Sequence, residues 1–224
     1  MAEKHPSGIP EAVLNKVVPR RGRLHAFPIL NPAKTALVVV DLDTGSVTHG
    51  TTEEIRSFVP RVNSLANTVR EHGGTVAWVT TPISAPSKHF RALYGDAFTK
   101  LIQEEGADGG TAHTVWHELN ALPGDVYATK KGASAFFPGR SNLDEQLQKR
   151  GVTSLLIAGL VTNVCCESSA RDACELEYEV TMVSDCLLGH KEGQHEATLA
   201  TFYRNFGDVR PSENIQQLIT ESAQ

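Results

Sequence analysis

Residues 36–40 read Ala-Leu-Val-Val-Val and stop at Asp41. No polar side chain interrupts this β-rich run, so it suits a strand covered on both faces rather than one with a wet side. Thr75 to Thr80 (TVAWVT), Ser154 to Ala158 (SLLIA) and Glu179 to Ser184 (EVTMVS) have the same character. A chain holding several such runs needs a parallel sheet sandwiched between helices.

The segments between them supply those helices. Val62, Leu65, Ala66 and Val69 recur at helical spacing, and Gly73-Gly74 provides the stop. Pro82 to Asp96 reads as polar and irregular, followed by a short helix over 97–105 and by turn residues to Pro123 with a helical turn near Val115 to Leu119. Val126 to Lys130 reads as a strand, and Leu143 and Leu147 mark a helix ending near Gly151. Val164 to Leu176 and Lys191 to Tyr203 read as helices, Asp208-Val209 as a short strand, and Ser212 to Thr220 as a closing helix. This alternation predicts one α/β domain over 34–224. Residues 1–33, with the Arg20, Arg21 and Arg23 cluster, are expected to form an arm that is solvated or clasps another subunit.

Composition narrows the function classes. With 224 residues, 40% of them hydrophobic, the chain can bury a large core and is not a disordered polymer. Lys+Arg 21 against Asp+Glu 26 gives a net charge of -5 without a basic run, which argues against nucleic-acid and anionic-membrane partners. No apolar stretch approaches the roughly 20 residues needed to span a bilayer. The N-terminus lacks the apolar core of a secretory signal. Four cysteines (Cys165, Cys166, Cys174, Cys186) without C-x-x-C spacing fit a reducing cytoplasm and no zinc-type ligand set.

Ligands of open parallel sheets bind beyond the carboxyl ends of the strands. The polar residues there are Asp41 and Asp43, Lys130 and Lys131, and Cys165 with Cys166. Singly, each has an ordinary role: a turn or cap aspartate, a solvated lysine, a small core cysteine. Together they read as a nucleophile at a helix N-terminus, where the dipole and free N–H groups stabilise a thiolate, with a carboxylate and an ammonium at neighbouring strand ends.

Three blocks, ALVVVDLD near Asp41, TKKGASAFFPG near Lys130 and AGLVTNVCCESSARDA around Cys165, carry a resemblance to the isochorismatase-like cysteine hydrolases. That superfamily includes nicotinamidases, N-carbamoylsarcosine amidohydrolases, ureidoacrylate amidohydrolases and biuret hydrolases. The resemblance runs from about Lys34 to Thr220. It implies a three-layer α-β-α, Rossmann-like fold with a six-stranded, mostly parallel sheet. It assigns Asp41 as general base, Cys165 as nucleophile and Lys130 as third member of the triad, with Lys131 as the alternative lysine. It also implies a non-proline cis peptide at Leu160–Val161 and an oxyanion cradle made by the Val161 and Cys165 amides. Asp43, Leu160, Thr162 and Phe136 are the positions expected near the pocket. No cofactor is implied. The implied reaction is hydrolysis of a small amide, N-carbamoyl or ureido compound through a thioester, in a chain that assembles as a dimer or tetramer.

Departures from the family pattern refine this. D-L-D-T-G-S stands where many relatives have D-M-Q-N-D-F, so Asp43 is either a loop residue bonding its own backbone or a polar pocket residue. TTPISAPSKHF contains His89 but no D-x-H metal motif, which argues against a metal-dependent nicotinamidase. The siderophore isochorismatases lack the nucleophilic cysteine, so Cys165 argues for C–N hydrolysis. His113, Trp116, His117, His190 and His195 read as packing or surface residues, and Glu167 with Arg171 as an i,i+4 ion pair. Two competing readings are a thiol redox protein using Cys165-Cys166 and a catalytically silent interaction module.

Overall fold

A computed structural model describes residues 7–49, 52–82, 87–107 and 114–222. Among them the chain runs α1 (Glu11–Arg21), β1 (Thr35–Val40), α2 (Thr44–His49), α3 (Thr52–Glu71), β2 (Thr75–Thr80), α4 (Lys88–Ala107), β3 (Val126–Thr129), α5 (Leu143–Gln148) and β4 (Ser154–Leu160). It continues through α6 (Glu167–Glu175), β5 (Glu179–Leu188), α7 (Glu192–Asn205), β6 (Asp208–Arg210) and α8 (Ser212–Ser222).

The six strands form one sheet in the order β3-β2-β1-β4-β5-β6, with every neighbouring pair parallel. The uninterrupted run at 36–40 does what its composition requires. Ala36, Val38 and Val40 face one core with side chains from α1, α5, α6 and α7, while Leu37 and Val39 face a second core with α2, α3 and α8. This is the expected three-layer α-β-α fold. The order reverses between β1 and β4, and in sheets of this kind ligands bind at that switch point, beyond the carboxyl ends of the strands.

Gly159 is indispensable to that switch point. Its φ is +115°, and a Cβ there would lie 2.0 Å from Val40 O. The backbones of β1 and β4 therefore approach just before Asp41 and Val161, the two positions where each strand delivers its polar end.

Three boundaries differ from expectation for identifiable reasons. Helix α4 begins at Lys88 rather than near 97: Ser87 Oγ accepts the Phe90 N–H at 3.1 Å, and Gly95, at φ +79°, breaks the helix in the middle. Its first half was hidden by the polar surroundings and that glycine. Strand β5 continues to Leu188 instead of ending at Ser184, because its register against β4 shifts between Ile157 and Gly159 and polar residues occupy the irregular stretch. Helix α2 was not anticipated; the Ser46 N–H donates to Asp43 Oδ1 at 2.8 Å and so caps its first turn.

The described part of the expected arm is not a solvated tail. Ile9 and Val17 join the core, and α1 lies against α7. Arg21 donates to Tyr203 O at 2.8 Å with its guanidinium 4.7 Å from the centre of the Tyr203 ring, and Arg20 donates to Arg204 O at 2.6 Å. These arginines cap carbonyls at the C-terminal end of α7, where cations are favoured. Helix α4, by contrast, contributes little to the core: Leu93, Tyr94, Phe98 and Leu101 are all exposed. No described helix is long and apolar enough to cross a membrane.

Candidate active site

Asp41 follows β1 with φ +54°, a left-handed conformation that Asp and Asn adopt more readily than other non-glycine residues. Lys130 follows β3, its N–H donating to Thr80 O at 3.0 Å. Cys165 lies in the wide turn Thr162–Cys166 between β4 and α6. Sequence placed the lysine at a neighbouring strand end, but β2 stands between β3 and β1. The four-carbon lysine stem bridges that gap.

The structure brings the three groups together. Lys130 Nζ is 2.8 Å from Asp41 Oδ2, 3.4 Å from Cys165 Sγ and 3.0 Å from Gly132 O. An ammonium has three donors, and all three are engaged. Lys130 is only 1% exposed and Asp41 7%. Lys131 lies exposed, with its N–H on Arg140 O, so of the two lysines it is Lys130 that meets Asp41 and Cys165.

Charge states follow from this packing. Burial opposes the Lys130 charge, but the Asp41 carboxylate and the Cys165 sulfur outweigh it and hold the ammonium above its ordinary value. Cys165 behaves oppositely. Burial first, then the Asp41 charge, push its thiol up to about 12 against the pull of Lys130. This direction disfavours the expected resting thiolate. Desolvation and the like-signed Asp41 charge thus work against a thiolate, and Lys130 works for it.

Several supporting contacts had no clear sequence signal. Thr81 Oγ1 donates to Asp41 Oδ1 at 2.8 Å, leaving Oδ2 for Lys130. Ser169 Oγ donates to Cys165 O at 2.6 Å and accepts the Ala135 N–H at 2.9 Å, tying the Cys165 turn to the segment after Lys130. Only their positions, one residue past β2 and four past Cys165, could have suggested them.

The Leu160–Val161 peptide is cis, as the resemblance implied. Val161 O accepts the N–H groups of Val164 at 3.0 Å and Cys166 at 3.3 Å. Of the positions expected near the pocket, Leu160 and Thr162 are buried, with Thr162 Oγ1 2.9 Å from His195 Nδ1. Asp43 is buried and takes the backbone-bonding role as the cap of α2. Phe136 is corrected to a core residue: its ring packs against Tyr178, while Phe137 is the exposed one.

The remaining candidates resolve as follows. Cys166 is fully buried, its Sγ directed to Ala158 O at 3.9 Å, and burial pushes its thiol well up, which disfavours a redox partnership with Cys165. Cys186 is buried, and Cys174 is partly buried with Sγ 3.6 Å from Phe206 O. Glu167 and Arg171 form the expected ion pair. Trp116 is buried, whereas His117 and His190 are exposed; His113 lies outside the described residues. No group of three or more His, Cys, Asp and Glu side chains suited to a metal occurs among the described residues.

Comparison with known proteins adds a third line. The Isochorismatase domain model matches residues 35–214. The chain is 29% identical over 192 residues to the uncharacterized isochorismatase family protein YwoC of Bacillus subtilis (strain 168), covering 83% of this chain and 94% of that protein. It is 29% identical over 218 residues to the ureidoacrylate amidohydrolase RutB of Agrobacterium fabrum, covering 87% and 93%. Among solved structures, a cysteine hydrolase from Pseudomonas syringae pv. phaseolicola 1448A superposes with a TM-score of 0.77 at 25% identity, covering 90% of this chain and 99% of the other. N-carbamoylsarcosine amidase from Thermoplasma acidophilum superposes with a TM-score of 0.66 at 25% identity, covering 80% and 97%. Sheet order, the meeting of Asp41, Lys130 and Cys165, and the match over 35–214 agree: the chain belongs to the isochorismatase family of hydrolases.

Proposed function

We propose that this protein is a cysteine-dependent amidohydrolase that cleaves the C–N bond of a small amide, N-carbamoyl or ureido compound and releases ammonia. The observation that carries the reading is the position of Lys130 Nζ, within bonding reach of both Asp41 Oδ2 and Cys165 Sγ in a buried setting. Similarity to a ureidoacrylate amidohydrolase and to an N-carbamoylsarcosine amidase supports the C–N bond as target.

In this reading Asp41 accepts the Cys165 proton as the sulfur attacks the carbonyl carbon. Lys130 stabilises the charge on the sulfur as the proton leaves. The carbonyl electron pair moves onto oxygen, and the N–H groups of Val161 and Cys165 hold the tetrahedral oxyanion. Asp41 returns the proton to the leaving nitrogen, the C–N bond breaks, and ammonia departs from a Cys165 thioester. Water then gives a proton to Asp41 and attacks the thioester. The acid product leaves, and the proton goes back to sulfur. Burial pushes the thiol pKa up, which gives a neighbouring carboxylate base a larger part in the attack.

The test is an ammonia-release screen over small amides, N-carbamoyl amino acids and ureides, with Cys165→Ala as the blank. Release by the unaltered enzyme and none by the blank is the expected result. Equal release by both removes the nucleophile assignment.

A further inference from the structure

Both sequence neighbours that bracket Cys165 are held by one helix. Thr162, three residues before it, has its hydroxyl 2.9 Å from His195 Nδ1, and Glu167, two residues after it, accepts from Thr198 Oγ1 at 3.0 Å. His195 and Thr198 are one turn apart on α7, so the helix offers two polar rungs to the nucleophile's turn. The lower rung is reinforced, since Glu167 also pairs with Arg171. The upper rung has no such backing. Thr162 is fully buried, and its hydroxyl needs a partner there.

We propose that His195 is a positioning residue for the reaction: by holding the Thr162 side chain it sets the turn on which the Val161 and Cys165 amides meet the developing oxyanion. This rests on the amidohydrolase reading only in requiring Cys165 to attack a carbonyl. The imidazole suits the task. Burial lowers its pKa against the opposing Glu196 and Glu192, which favours the neutral ring, and a neutral ring can share one proton with a hydroxyl. The ring also borders a cavity of about 190 Å³ between residues 7–10 and α7, with Ile9 and Leu199 in its wall. An aliphatic replacement therefore has room.

The experiment compares the unaltered protein with His195→Leu, His195→Asn, Thr162→Val and the Leu/Val double variant. Asn can place an amide atom near the former Nδ1, so it should restore the bond, whereas Leu and Val remove it. Acylation of Cys165 by p-nitrophenyl acetate releases p-nitrophenolate, needs the oxyanion cradle and does not require the natural substrate. Alkylation of Cys165 by iodoacetamide forms no oxyanion. We expect acylation to fall about 10–100-fold in His195→Leu and in Thr162→Val. The double variant should be no worse than either single one, and His195→Asn should recover most of the rate. Alkylation should stay within about twofold throughout, given that no step on the cradle is involved.

Unchanged acylation in His195→Leu overturns the proposal. So does a parallel fall of acylation and alkylation, which marks general damage to the fold, and so does a double variant whose losses multiply. If the unaltered protein is acylated through Cys165 but releases ammonia from no amide, the amide reading fails while the role of His195 is still decided. No acylation of the unaltered protein overturns both.

Discussion

Asp41 and Lys130 are ion-paired at 2.8 Å although their strands are not neighbours in the sheet. The pair spans the tip of β2, and Thr81 from that tip occupies the second carboxylate oxygen. A buried pair of this kind is costly to break from one side, because the surviving charge is left without a partner. It also fixes the carboxylate beside the sulfur.

Replacing the base should separate two properties that usually move together. In the proposed mechanism Asp41 accepts the thiol proton, so amide turnover should fall about 10²–10⁴-fold in Asp41→Asn. The same change removes a negative charge that raises the thiol pKa and leaves Lys130 beside the sulfur. Iodoacetamide should therefore alkylate Cys165 faster at neutral pH than in the unaltered protein. Slower alkylation in this variant would show that Asp41 does not hold the proton on sulfur.

The two lysines should differ sharply. Lys130→Met leaves a buried carboxylate unpaired and should cost about 3–5 kcal/mol of stability together with the activity. Lys131→Ala removes an exposed side chain and should change stability by no more than about 0.5 kcal/mol. Chemical denaturation and ammonia release, measured on both variants, check this. A reversed ranking would return the assignment to Lys131.

Raised thiol pKa has a direct signature in pH. Only the thiolate alkylates, and an ordinary thiol, with its pKa near 9.0, levels off in rate soon above that pH. With the Cys165 value pushed up to about 12, the rate should be low at neutral pH and still be climbing past pH 9. Mass spectrometry of the Cys165 peptide over a pH series reads this directly. A plateau near pH 7 would contradict the protonated resting state.

Gly159→Ala tests the junction of β1 and β4. Its Cβ would meet Val40 O at 2.0 Å, with the backbone already at φ +115°. The strands must move apart, and we expect a loss of at least about 3 kcal/mol. For a chain of this length that corresponds to a fall in Tm of about 2–4 °C per kcal/mol lost. A calorimetric Tm within one degree of the unaltered protein would refute the close approach.

The layered fold was legible because its signal is compositional: runs such as 36–40 and 154–158 leave no wet face, and helical periodicity fills the intervals. Asp41, Lys130 and Cys165, which meet in the structure, were legible as polar residues at or just beyond the ends of such runs. What sequence could not carry was mutual geometry. It did not show β2 standing between Asp41 and Lys130, nor Thr81 serving that gap, because strand order is set by packing of distant segments. The direction of the Cys165 pKa is hidden from sequence for a related reason. A helix terminus is visible in sequence, whereas the depth of burial and the closeness of a carboxylate are tertiary facts. His195 looked ordinary because its partner, Thr162, is 33 residues away.

Helix α4 has a consequence of a different sort. Asp41, Lys130 and Cys165 hang from β1, β3 and the turn after β4, while α4 keeps Leu93, Tyr94, Phe98 and Leu101 in contact with solvent. These four α4 side chains can change in sequence at little expense to folding, whereas Thr81 and Trp116 in the same connection are tied to Asp41 and to the core. Such an architecture separates a buried polar cluster from an outer helix face that can vary around it.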